Sequence, residues 1–136
     1  VNKARLLIVD EHPEVRRALS ALLSASAAID VLGTAQSYQA ALASTETLKP
    51  SIVVIEPKAR GKRLPPAPVE VMVRQFADRH AATIILTSYP EDDEREAALH
   101  AGASRYLLKD IDAAGLIAEI EAVAQETAAP DPQPWP

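Results

Sequence analysis

Four apolar runs in this sequence each stop at a residue that can carry charge or donate a hydrogen bond. Arg5-Leu6-Leu7-Ile8-Val9 ends at Asp10-Glu11, Ser51-Ile52-Val53-Val54-Ile55 at Glu56, Thr83-Ile84-Ile85-Leu86 at Thr87, and Tyr106-Leu107-Leu108 at Lys109. If the runs lie side by side, three carboxylates, a hydroxyl and an ammonium meet at one edge. Three carboxylates repel one another unless a cation sits among them. A hard divalent ion with oxygen ligands suits them, and Mg²⁺ keeping several waters suits an open site. Lys109 can neutralise an anion or pair with Glu56, and Thr87 can hydrogen-bond a phosphoryl-like oxygen. Taken singly, each residue is an ordinary polar strand end. Only the joint placement is specific.

That placement needs a particular scaffold. Short, continuously apolar runs read as strands buried on both faces, the pattern of a parallel sheet. Ile29 to Leu32 and Tyr106 to Leu108 are weaker strands. Between them the period changes to that of a helix. Val15, Leu19, Leu22 and Leu23 share one face, with Pro13 suited to the first turn. Tyr38, Ala41, Leu42 and Thr45 mark a second helix, and Val69, Met72, Val73 and Phe76 a third that opens near Pro65–Pro68. Glu91 to Ala101 is a fourth, with acids at its start and Gly102 past its end. Leu116, Ile117, Ile120 and Val123 form the face of a fifth. Strand and helix alternate five times, a (βα)5 order. It predicts an α/β, doubly wound five-stranded parallel sheet with right-handed crossovers. In such sheets ligands bind outside the carboxyl ends of the strands, where the polar residues stand.

Two segments depart from the alternation. Pro57 to Pro68 is a long loop carrying Lys58, Arg60, Lys62 and Arg63. Charge runs of this kind are usually solvated; the sharper alternative is that these cations replace a metal or recruit an anionic ligand. Thr127 to Pro136 is Pro-rich without periodicity and reads as a linker or tail. The 136 residues fit one domain, and 48% of them are hydrophobic, enough for a core built on aliphatics. The absence of cysteine excludes disulfides and thiolate metal sites and fits a cytoplasmic location. No apolar run approaches the roughly 20 residues of a membrane span, and no signal peptide is expected. A net charge of −5 with no basic helix argues against direct nucleic-acid binding.

Leu7-Ile8-Val9-Asp10-Glu11-His12-Pro13, Leu86-Thr87-Ser88-Tyr89 and Ala101 through Asp110 resemble the receiver domains of bacterial two-component response regulators, in particular the NarL/FixJ type, from about Arg5 to Ala124. The resemblance implies a flavodoxin-like receiver fold with strand order 2-1-3-4-5, spanning residues 1–126 and followed by the tail at 127–136. It implies that Asp10 and Glu11 are the acidic pair that holds Mg²⁺, with Glu56 and the backbone carbonyl of Lys58 completing the metal set. It implies that Thr87 contacts the phosphoryl group, that Lys109 pairs with it, and that Tyr106 turns inward when the domain switches. It further implies a non-enzymatic signalling role and a sensor kinase upstream. The face of the fourth helix, fifth strand and fifth helix would contact an output domain or partner protein, and homodimers would form through that face or through the first and fifth helices.

The departure is Glu56, which stands where the family carries its phosphorylated aspartate. Ser51 to Val69 contains no aspartate to take its place. The following Pro57-Lys58-Ala59-Arg60-Gly61 also differs from the family's Met-Pro and glycine. Glutamate sets its carboxylate about 1.5 Å further out, one C–C bond. Errors of about 1 Å in reacting geometry cost roughly 100-fold in rate, which argues against ordinary phosphorylation. Glu56 then either imitates the phosphorylated state in part, with one negative charge against roughly −1.5 to −2 for a phosphoryl group, or pairs with Lys109 and holds one fixed state.

Two other functions use similar sheets. A Mg²⁺-dependent phosphohydrolase needs a second aspartate two residues after the first, and position 12 is His12. A flavodoxin-like cofactor domain needs a glycine- and hydroxyl-rich cradle for phosphate after the first strand, and Asp10-Glu11-His12-Pro13-Glu14 is acidic. A phosphate-independent receiver fits better than either.

Overall fold

A computed structural model describes residues 3–58 and 65–127. Ten elements alternate: β1 (Ala4–Val9), α1 (Pro13–Ser24), β2 (Ile29–Ala35), α2 (Tyr38–Leu48), β3 (Ile52–Ile55), α3 (Val69–Asp78), β4 (Ala82–Thr87), α4 (Asp92–His100), β5 (Arg105–Leu108) and α5 (Ala113–Thr127). The strands form one parallel sheet in the order β2-β1-β3-β4-β5. This is the expected flavodoxin-like (βα)5 architecture.

Alternation along the strands builds two cores, because successive side chains point to opposite faces. Leu7, Val9, Val53, Ile55 and Ile85 pack with Tyr38, Met72, Phe76 and Ala98, so α2, α3 and α4 cover one face. Leu6, Ile8, Ile52, Val54 and Ile84 pack with Leu23, Leu116, Ile120 and Val123, so α1 and α5 cover the other. Phe76 is fully buried and meets the Tyr38 ring edge-on, centroids 5.7 Å apart.

Helix boundaries follow from local chemistry. Pro13 occupies the first turn of α1, where its missing N–H costs nothing. The Ser37 hydroxyl accepts the Ala40 amide at 3.1 Å and the Asp112 carboxylate accepts the Gly115 amide at 2.7 Å, capping α2 and α5. After α4, Gly102 adopts φ +110°, a conformation glycine reaches without strain. Arg105 fastens α5 to β5 through Glu119 at 2.7 Å and Glu126 at 2.5 Å.

Three boundaries differ from expectation. β2 continues past Leu32 to Ala35. Leu6 pairs with Val31 but Leu7 with Gly33, so Leu32 is skipped as a bulge that shifts the apolar alternation. α4 proper is Asp92–His100, with Glu91 and Ala101 as its caps. Thr127, placed in the tail from its sequence, is the last helical residue of α5. Residues 128–136 and the loop cations Arg60, Lys62 and Arg63 lie outside the described residues.

Candidate functional site

Register brings the acids together. Val9 pairs with Ile55 and Ile55 with Ile85, so the next residues, Asp10 and Glu56, emerge side by side. The Glu56 amide donates to the Val9 carbonyl at 3.0 Å, and the Lys109 amide to the Thr87 carbonyl at 3.0 Å. These bonds carry the ladder one step beyond the strands and fix where each side chain starts.

Lys109 bridges the two carboxylates. Its ammonium lies 2.5 Å from Asp10 Oδ2 and 3.5 Å from Glu56 Oε1. Both acids are buried, at 2% and 3% side-chain exposure. Burial alone would disfavour two adjacent carboxylates, and the ammonium offsets both. Asp10 Oδ1 accepts the His12 amide at 2.9 Å and lies 3.2 Å from His12 Nδ1. Glu56 Oε1 accepts the Ser88 amide at 3.0 Å, and Oε2 is 3.5 Å from the Lys58 amide. Arg16 closes the floor of the β1–α1 turn by donating to the carbonyls of Asp10 and Glu11 at 2.7 and 3.1 Å. Beside these groups a cleft of about 170 Å³ opens toward the start of α2, lined by Asp10, Glu11, Gln36, Ser37, Glu56 and Lys58.

Thr87 is fully buried, and its hydroxyl oxygen accepts the Tyr89 amide at 3.0 Å. Among the described residues no hydrogen bond joins it to Glu56. Tyr106 is half-buried, its hydroxyl donating to Glu94 Oε1 at 2.7 Å and accepting the Glu91 amide at 3.1 Å. Burial, reinforced by Glu94 and opposed by the Glu91 amide, pushes the Tyr106 phenol well above its usual value.

A scan for known families matches residues 6–121 to the response regulator receiver domain. The chain belongs to the response regulator receiver family. This receiver is 36% identical over 109 residues to the DNA-binding transcriptional activator DevR/DosR of Mycobacterium tuberculosis, a match covering 79% of this chain and 48% of that protein. It is 31% identical to the transcriptional regulatory protein LiaR of Bacillus subtilis over 89% of this chain and 56% of that protein. The chain thus spans about half the length of these curated relatives. Among solved structures it superposes on a LuxR-family two-component response regulator from Aurantimonas sp. SI85-9A1 with a TM-score of 0.77 and 29% identity, covering 92% of this chain and 87% of that one.

The receiver's edge therefore gathers Asp10, Glu56 and Lys109 as expected, with Glu11 and Lys58 at the rim of the cleft and Thr87 and Tyr106 turned to other partners. Lys109 competes with a divalent ion for the oxygens of this arrangement. The two oxygens of Asp10 are taken by His12 and Lys109, and Glu56 Oε1 by Ser88 and Lys109. Among the described residues no group of three or more carboxylate or imidazole side chains is arranged to hold a metal. Lys109 occupies the role that a cation among the acids would otherwise fill. The Lys58 ammonium does not, because it leaves the acids and pairs with Glu91 and Glu94 at the start of α4.

Sequence reasoning missed Ser88, Arg16, His12 and Glu94. Ser88 acts through its backbone amide, which leaves no signature in residue type. Arg16 and His12 act locally on the β1–α1 turn, visible only once the turn is built. Glu94 reads as one more acid at a helix start, where acids are common for dipole reasons.

Proposed function

We propose that this chain is an atypical receiver of the NarL/FixJ type that signals without ordinary aspartyl phosphorylation. The observation that carries the reading is the seat of Glu56: its carboxylate accepts the Ser88 amide at 3.0 Å and lies 3.5 Å from Lys109. A phosphoryl group on a shorter aspartate would need those same donors. The glutamate supplies one charge and two oxygens to them, against three oxygens and more charge from phosphate. The imitation is partial, since the Thr87 hydroxyl stays with the Tyr89 amide rather than closing on Glu56.

Relatives that regulate transcription support a role as the input half of a transcription regulator. The signal passes to an output domain or partner protein through the α4–β5–α5 face. The receiver runs to the end of α5 at Thr127, and the residues after it act as the linker toward that output. A cytoplasmic location belongs to the same reading. No described helix is long and apolar enough to cross a membrane.

The test is phosphotransfer. Native protein incubated with Mg²⁺ and acetyl phosphate is expected to gain no phosphoryl mass, and Glu56→Asp to gain it. A stoichiometric adduct on the native chain would overturn the proposal.

A further inference from the structure

Lys58 follows Glu56 by two residues, yet its side chain runs away from the acid cluster. The residue is 7% exposed, and its ammonium donates to the Tyr89 carbonyl, 3.2 Å from Glu91 Oε1 and 3.4 Å from Glu94 Oε2. An ammonium has three donors and no acceptor; here three oxygens meet it. Glu94 is itself buried at 9% exposure, and its other oxygen takes the Tyr106 hydroxyl at 2.7 Å. Tyr106 in turn accepts the Glu91 amide. One unbroken polar chain thus runs from the loop after β3, through the first turn of α4, to β5.

We propose that Lys58 is a positioning residue that latches the loop carrying Glu56 to α4 and Tyr106, and so holds the α4–β5 surface in one arrangement. Three features support this. The network links elements that are distant in sequence, Lys58 to Tyr89 over 31 residues and Tyr106 to Glu94 over 12. Buried, fully paired charges add little net stability, and in some proteins they serve to fix a single geometry. The contact is also conditional: any rearrangement that pulls the loop after β3 toward the acids withdraws the ammonium from Glu94 and frees the acid that anchors Tyr106. Glu56 and Lys58 sit on the same short segment, so the state of the first bears on the seat of the second. That the output leaves by this surface rests on the function proposed above. The latch itself rests only on the contacts of Lys58, Glu94 and Tyr106.

Amide hydrogen exchange followed by NMR on the full chain tests it. Lys58→Met keeps the stem length and removes the charge. Exchange of the two bonded amides there, Glu91 on the Tyr106 hydroxyl and Arg95 on the Glu91 carbonyl, should rise about tenfold, as expected for losing charge-assisted bonds at a local opening site, and the Tyr106 ring signals should shift. Protection of the Ser88 amide, which is bonded to Glu56, is read beside it: a rise at Glu91 and Arg95 with Ser88 still protected supports the latch whatever becomes of the reading of Glu56. Glu94→Gln should give a similar local rise, and the double variant little more than either alone, because both cut one chain. Unchanged exchange at Glu91 and Arg95, a uniform rise over the whole sheet, or fully additive effects in the double variant would each overturn the latch.

Discussion

Lys109 and Asp10, 99 residues apart in the chain, meet at 2.5 Å on the edge of the sheet. The same ammonium lies 3.5 Å from Glu56, so one cation serves two buried carboxylates. Removing one partner of a buried ion pair leaves an uncompensated charge and costs about 3–5 kcal/mol. Lys109→Met should therefore lower the unfolding free energy by about 3 kcal/mol, read from the denaturant midpoint at neutral pH. A loss below about 0.5 kcal/mol, the scale of an ordinary surface substitution, would mean that the acids do not depend on Lys109.

The same geometry sets the response to metal. With both Asp10 oxygens and Glu56 Oε1 in contact with Lys109, His12 or Ser88, the native edge should gain little thermal stability from millimolar Mg²⁺. In Lys109→Ala the acids are left without their cation, and Mg²⁺ should now raise Tm. Thermal scans with Mg²⁺ and with EDTA decide it. Strong stabilisation of the native chain by Mg²⁺ would show that the ion displaces Lys109 with ease.

Alkaline pH reaches the protein through Tyr106. Its phenol is held above the ordinary value of 10.0 chiefly by burial, and Glu94 and Glu91 add to the shift. The folded state thus binds the proton more tightly than the unfolded state. Stability from this source is fully present below pH 10.0 and declines as pH rises above it. Tyr38, also raised by burial, contributes in the same direction. Tyr106→Phe should flatten the fall in stability above pH 10.0, leaving the part due to Tyr38. An identical slope in the variant would remove Tyr106 from the account.

Much of the fold was legible because burial leaves periods in the chain. The doubly buried strands β1, β3 and β4 each carry an unbroken apolar run, Leu6–Val9, Ile52–Ile55 and Ile84–Leu86, and the helix faces repeat at three and four residues. β2 was cut short because the bulge at Leu32 breaks its alternation. At the site, strand-end residues were legible since each is fixed by the ladder that precedes it. Lys58 was not. A lysine stem spans several ångströms and turns either way, and only the position of α4 decides that it leaves the acids. Nor could residue type reveal that Thr87 hydrogen-bonds the Tyr89 amide instead of Glu56.

Thr83 offers a test of the core. It is 1% exposed in β4, and its hydroxyl has no hydrogen-bond partner among the described residues. A buried unpaired hydroxyl costs about 1–3 kcal/mol, and valine has nearly the same shape. Thr83→Val should raise stability by about 1 kcal/mol in denaturant unfolding. A destabilised variant would mean that the hydroxyl is satisfied.

The bond between Glu56 and Ser88 ranks the variants of residue 56. The Ser88 amide reaches Glu56 Oε1 at 3.0 Å because glutamate extends one methylene beyond aspartate. Glu56→Gln keeps a carbonyl oxygen at that reach but loses the charge opposite Lys109. Glu56→Asp withdraws the oxygens by about 1.5 Å, beyond hydrogen-bonding distance of the amide. Protection of the Ser88 amide should therefore fall in the order Glu, Gln, Asp. The drop to Asp should be about tenfold or more, the worth of a hydrogen bond to a charged group. Hydrogen exchange at Ser88 measures it directly. Equal protection in all three would mean that the amide is held by something other than residue 56, and the resemblance of Glu56 to a seated phosphoryl group would lose its basis.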